Sequence, residues 1–274
     1  MTKNMPMLGI LQGRLTPSPD GSIQFFPKDN WRNEFVIARE IGFDCIELLV
    51  RRDNWEDNPL VQASEFISVG HLCQGLAIHS VHGFYSKSED FKEALGRIIH
   101  NGEQLDVKTI LVSFFGEEAL ITEDDKHLAR EQISKVIPWL QRFSIRIGIE
   151  AEMPAAELLD FIKSFKSNVI GVYYDIGNMS SVGANVVEEI KFLGRYICGV
   201  HVKDRLAGGG KTVPLGEGCA DFEGAFTALK DVWYEGPFII QGARVEGVND
   251  VELNRGYFKF CKELLNKIYG GGER

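Results

Sequence analysis

The chain has 274 residues, 44% of them apolar and 25% charged, with a formal net charge of −9. That apolar content is enough for one large α/β core, and the acidic balance excludes a general binder of phosphate backbones, which carries basic stripes. The opening stretch MTKNMPMLGILQGR contains no long apolar run, so neither a secretion signal nor a membrane span is expected.

Short apolar runs rich in β-branched residues lie at 8–12, 44–50, 76–82, 109–115, 145–150, 169–175, 197–203 and 237–241. Amphipathic stretches near 31–41, 59–74, 88–105, 123–143, 154–166, 185–194, 221–232 and 250–268 alternate with them. The strand runs are almost continuously apolar, as strands buried on both faces must be. Eight strand-plus-helix units are the count for a closed (β/α)8 (TIM) barrel. No Pro/Ser linker divides the chain, which reads as a single domain over 1–274. Asp29-Asn30, Ser88, Thr122 with Asp125 three residues on, and Asp221 are the expected helix caps. Gly42, Gly75, Gly148 and Gly236 punctuate the joins between units. The longest loops, 13–30 and 205–220, follow the first and seventh strands, on the face where barrels place their active sites. Their length predicts lids over a pocket, with Gly208–Gly210 as a hinge.

The five cysteines are scattered and include no CxxC pair, which reads as reduced thiols in a cytoplasmic protein. Cys45 and Cys198 fall inside strand runs, as small buried residues do.

Glu150, Asp175 and His201 end three successive strand runs and are spaced 25 and 26 residues apart, one barrel unit each. At matching positions on neighbouring parallel strands they point to one axis, where two carboxylates and an imidazole make a hard, oxygen-rich cation site. A lone buried histidine is more often a hydrogen-bonded core residue; three ligand types in register say more. The next strand end carries Gln241. Arg14, Glu47 and His82 end the first three strands, and Lys203, Arg205 and Arg244 put positive charge on the same rim, so these six are candidate substrate-binding residues. The run Gly208-Gly209-Gly210-Lys211 with Thr212 could offer amides to a phosphate, but it is neither a Walker nor a dinucleotide motif. Phe25, Phe26 and Trp31 form an aromatic cluster that could wall a pocket.

With the segments GILQGRLTP, FPKDNW, FDCIEL, IEAEMP, YYDIGNMSS, HVKDR, VPLGEG and PFIIQGAR in order, the chain resembles the sugar isomerase/epimerase barrels related to xylose isomerase. That superfamily also contains endonuclease-four-type DNA repair enzymes. The resemblance implies a Glu–Asp–His–Glu ring around one divalent ion, usually manganese, magnesium or cobalt, with zinc a further candidate. The matching positions are Glu150, Asp175, His201 and Gln241. It further implies metal-assisted proton transfer through a cis-enediolate of a sugar or sugar phosphate, with Glu150 as a base. Gln241 stands where the 3-epimerases carry a second base, and an amide cannot accept a proton at neutral pH. A substitute base would come from Glu152, Glu47, His82 or Lys203; a one-base aldose–ketose isomerisation needs none. A lyase such as a dehydratase and a non-catalytic sugar-binding barrel are the alternatives. A hydrolase of the repair branch needs a histidine-rich zinc cluster and a basic groove, against which only six histidines, three of them in helical stretches, and an acidic chain argue. The expected partner is a small sugar, not nucleic acid or membrane; self-association into a homo-oligomer is left open.

Overall fold

The structure, a computed structural model, describes residues 5–88 and 90–270. In chain order the strands are β1 (Leu8–Leu11), β2 (Cys45–Leu49), β3 (Ala77–His82), β4 (Thr109–Phe114), β5 (Arg146–Ala151), β6 (Ile170–Asp175), β7 (Ile197–Val202), β8 (Asp204–Arg205), β9 (Thr212–Val213) and β10 (Phe238–Ile240). β1 to β7 and β10 run parallel and close into a barrel, β10 sitting between β1 and β7. β8 and β9 form a small antiparallel hairpin beyond the end of β7. The eight barrel strands coincide with the eight apolar runs to within two residues at either end.

The helices are α1 (Trp31–Ile41), α2 (Ala63–Leu72), α3 (Asp90–Gln104), α4 (Glu123–Ser134), α5 (Ile137–Phe143), α6 (Ala155–Ser164), α7 (Ile176–Ser181), α8 (Val186–Leu193), α9 (Phe222–Asp231) and α10 (Asp250–Tyr269). They present apolar faces at helical spacing to the barrel: α1 buries Trp31, Phe35, Ala38 and Ile41, and α10 buries Tyr257, Cys261, Leu265 and Tyr269. Thr122 and Asp125 form a full capping box, and Asp221 accepts the N–H of Gly224 at 2.9 Å. Asn30 occupies the start of α1 without a side-chain cap bond. Gly42 ends that helix at φ 105°, a left-handed conformation that suits glycine.

Two helix expectations are corrected. The stretch 123–143 is two helices, because Pro138 in the first turn of α5 has no N–H to continue α4. The short α7, directly after β6, was not foreseen. Among the described residues no helix is long and apolar enough to cross a membrane.

Inside the barrel, Gly148 and Gly199 face Tyr173, and a Cβ at either would press on the Tyr173 side chain. Gly148 is thus a space-maker rather than a breaker. These two glycines let a tyrosine cross the lumen beneath the strand ends, where the candidate site lies.

Candidate metal centre

Glu150, Asp175 and His201 meet at the C-terminal ends of β5, β6 and β7. One carboxylate oxygen from each acid and a ring nitrogen of His201 all lie within 4.8 Å of one another, and all three residues are buried. Parallel pairing sets this up, since Asp175 is the direct partner of His201. Asp175 also caps α7: its Oδ1 accepts the N–H of Asn178 at 2.8 Å. Its Oδ2 receives no hydrogen bond, and lies 3.9 Å from His201 Nδ1 and 3.7 Å from Lys203 Nζ. His201 Nδ1 is likewise buried without a partner. Gln241 follows β10, its N–H bonded to Val202 O at 2.9 Å, and its buried Oε1 has no donor. A buried polar atom left unpaired costs about 1–3 kcal/mol. Three of them, on three neighbouring strands, fit the donor set of a hard divalent cation.

The other ring nitrogen of His201 is already committed. Its Nε2 lies 2.7 Å from Oε1 of Glu47, a fully buried carboxylate on β2. Ser80 Oγ donates to Glu47 Oε2 at 2.6 Å, and the Tyr173 hydroxyl donates to the same oxygen. His82 stacks on His201 with ring centroids 5.7 Å apart, and its Nδ1 is 3.8 Å from Glu47 Oε1. Burial alone would raise the Glu47 carboxyl, but His201, in contact through Nε2, outweighs it and holds it down at about 2. Burial opposes charge on His201, yet Glu47 raises it above the ordinary histidine value. A charged carboxylate at Nε2 draws the ring proton to that side, which turns the Nδ1 lone pair toward Asp175. Burial pushes His82 down to about 3, so it stays neutral. Burial first, then Asp175, pushes Glu150 up to about 7.

Above the acids opens a cavity of about 400 Å³, lined by Glu150, Glu152, Lys203, Arg205, Gln241 and His82 together with Gln24, Ser113, Phe115, Asn178, Lys211 and Thr212. Gln24, His82, Ser113 and Phe115 also border a neighbouring chamber of about 820 Å³ that reaches Arg51 and Phe84.

Several residues read as substrate ligands have other work. Glu47 is not at the cavity but beneath it, spent on His201, Ser80 and Tyr173. Arg244 pairs with Asp250 at 2.7 Å and donates to the carbonyls of Gly13, Thr16 and Ser22, tying down the loop after β1. Arg14 is buried, gives one bond to Gln24 Oε1 at 3.2 Å, and is not part of either cavity lining. Arg205 lines the cavity with all its bonding nitrogens turned to the protein. The glycine run is the turn of the β8–β9 hairpin, with Gly208 and Gly209 at φ 74° and 71°. The Gly209 and Gly210 amides donate to Ser181 O and Leu206 O, so they are not available to a phosphate. Farther along the same loop, the Asp204 carboxylate takes the N–H groups of Gly216, Gly218 and Ala220. Phe26 and Trp31 are packed in the core, and neither they nor Phe25 line the cavity.

Asn178 and Tyr173 were missed. The first could have been found from the D-x-x-N spacing, which puts an Asp cap and its third helical residue together. The second could have been found from its place two residues before Asp175, on the same strand face.

The family described as xylose isomerase-like TIM barrel has a sequence model that matches residues 35–256. Among curated proteins, SgbU of Escherichia coli (strain K12) is 27% identical over 241 residues, spanning 77% of this chain and 83% of that protein. The L-ribulose-5-phosphate 3-epimerase UlaE of Salmonella heidelberg (strain SL476) is 25% identical over 231 residues, spanning 77% and 81%. Among solved structures, a xylose isomerase domain protein from Planctomyces limnophilus superposes with TM-score 0.77 at 16% identity, over 97% of this chain and 100% of that one. D-psicose 3-epimerase from Clostridium cellulolyticum H10, solved with D-tagatose, gives 0.73 at 15% identity over 94% and 99%. At such identities the structural likeness speaks for the fold.

Proposed function

The chain belongs to the xylose isomerase-like TIM barrel family, and we propose that it is a divalent-metal-dependent isomerase or epimerase of a ketose or ketose phosphate. The observation that carries the reading is the set of unpartnered buried atoms, Asp175 Oδ2, His201 Nδ1 and Gln241 Oε1, at adjacent strand ends beside Glu150. Glu150, Asp175 and His201 would hold the ion, and Gln241 would add its amide oxygen. When bound, the ion (manganese, magnesium or cobalt, with zinc a further candidate) supplies Lewis-acid polarisation of the sugar carbonyl and adjoining hydroxyl.

Glu150 belongs to the ion site and also lines the cavity, so it is the carboxylate placed to take and return a proton. It removes the proton from the carbon beside the carbonyl, leaving an enediolate. Return to the same carbon from the other face gives an epimer; return to the neighbouring carbon gives an isomer. Gln241 takes no part in that transfer, because an amide does not accept the proton. Glu152, Lys203 and His82 line the same cavity and are the groups in reach for a second transfer; Glu47 is not. The curated relative named for L-ribulose-5-phosphate favours a pentulose phosphate, and Lys203 and Lys211 on the cavity wall suit an anionic sugar. The free cysteines suit a cytoplasmic setting, and residues 1–274 act as one catalytic domain.

The test is solvent deuterium exchange. Manganese-loaded protein is offered a panel of ketoses and ketose phosphates, and deuterium is expected at the carbon beside the carbonyl. Chelation and His201→Ala should each stop it. Metal-loaded protein that exchanges no ketose is a binding barrel, and the enzymatic reading then falls.

A further inference from the structure

We infer that Arg205 acts through Asn178 to fix the carboxylate of Glu150, so that both are positioning residues for the proton-transfer base; the inference rests on the metal-dependent reading above. Asn178 touches both acids. Its backbone N–H donates to Asp175 Oδ1 at 2.8 Å, and its side-chain Nδ2 donates to Glu150 Oε1 at 3.0 Å. A side-chain amide has an acceptor end and a donor end, and only the donor end suits a carboxylate. Arg205 Nη1 donates to Asn178 Oδ1 at 3.0 Å. A guanidinium has donors only, so it holds the amide with its oxygen outward and its nitrogen on Glu150.

Arg205 is itself set before any ligand arrives. Nε and Nη2 each donate at 2.9 Å, to Gly210 O and Gly209 O in the hairpin turn, and Nη1 also reaches Glu152 Oε1 at 3.1 Å. The spacing between Asn178 and Arg205 is fixed by close packing at Gly177, where a Cβ would meet the Lys203 carbonyl at 2.5 Å. The hairpin, the exit of β7 and the first turn of α7 therefore form one rigid path ending on Glu150. Asn178 thus holds the Glu150 carboxylate at Oε1 and sets the direction in which it faces the site.

The experiment is a double-mutant cycle on the full chain with Arg205→Ala, Asn178→Ala and the double variant. Mn2+ affinity is read by EPR without sugar, and kcat and KM from deuterium exchange. Loss of a group that orients a metal ligand weakens metal binding or activity about 10-fold to 100-fold. Each single variant should lose about that much Mn2+ affinity and kcat while KM holds. The double variant should lose no more than the worse single, because the two residues act in series. Arg205→Lys, which keeps the charge without the fork, should behave like Arg205→Ala; full rescue by lysine would overturn the geometric claim. If Arg205→Ala loosens the hairpin, Asn178→Asp carries the test: it is the same size, with an acceptor in place of the donor, and should lower kcat. Additive losses, or an Arg205→Ala effect confined to KM, would overturn the inference alone. A wild type that binds Mn2+ but exchanges no ketose removes the enzymatic reading, while the affinity cycle still decides this one. A wild type that binds no Mn2+ removes both.

Discussion

Nε2 of His201 and Oε1 of Glu47 stand 2.7 Å apart, with neither side chain exposed to solvent. This contact joins β7 to β2 across the lumen and decides which nitrogen of the histidine faces the acids. Glu47→Gln removes the charge that holds the ring proton on Nε2 and turns an amide N–H2 toward the donors Ser80 or Tyr173. Mn2+ affinity should fall about 10-fold to 100-fold with the fold intact. An unchanged dissociation constant would show that this pair does not orient the ligand.

Metal affinity should rise with pH between about 6 and 8. Burial and Asp175 push Glu150 up to about 7, and Glu47 raises His201, so below that range both carry protons the ion must displace. Each displaced proton adds up to tenfold in affinity per pH unit until the group has ionised. Above about 8, Glu150 contributes no further change. Isothermal titrations at three pH values measure the slope, and a flat profile contradicts the assigned ligands.

Glu150→Gln should abolish solvent exchange while metal binding persists in weakened form, because an amide oxygen still coordinates. Gln241→Glu should gain or increase epimerisation beside the carbonyl, since it places a second proton acceptor at the end of β10. Deuterium incorporation across the ketose panel reads both. Exchange by Glu150→Gln at the wild-type rate would rule out Glu150 as the base.

Gly199→Ala should destabilise the barrel by about 1–3 kcal/mol, the usual cost of forcing a methyl into a packed core. The added Cβ presses on the Tyr173 ring, which in turn holds Glu47. Chemical denaturation of the variant measures the loss, and a stability equal to wild type would mean the ring has room to move.

The amides of Gly216, Gly218 and Ala220 should exchange slowly with solvent even without sugar, because all three donate to Asp204. Asp204→Ala should speed all three together and cost roughly 2 kcal/mol, the scale of lost bonds to a charged acceptor. Rapid exchange of these amides in the wild type would show that Asp204 does not hold this part of the loop.

The repeating strand and helix periods were legible in the chain because apolar spacing is a local property. Eight doubly buried strands have few ways to close, and the regular 25 and 26 residue intervals put Glu150, Asp175 and His201 at the same end of adjacent strands. Those same periods also placed Asp125 and Asp221 correctly at their helix starts.

What tertiary structure alone decided is depth and direction. Alternation along β2 puts Glu47 on an inward face, but not how far down the lumen it sits; that depends on the stagger between strands, here altered by the register shift at Ile46/Glu47. Long cations are still less local. Arg244 and Arg205 both leave the ends of strands on the catalytic face, yet Asp250 and three loop carbonyls capture the first, and the hairpin turn with Glu152 and Asn178 captures the second. Their partners lie up to 231 residues away in sequence, so no spacing in the chain records them. A flexible side chain goes where its acceptors are, and only the closed barrel brings those acceptors within reach.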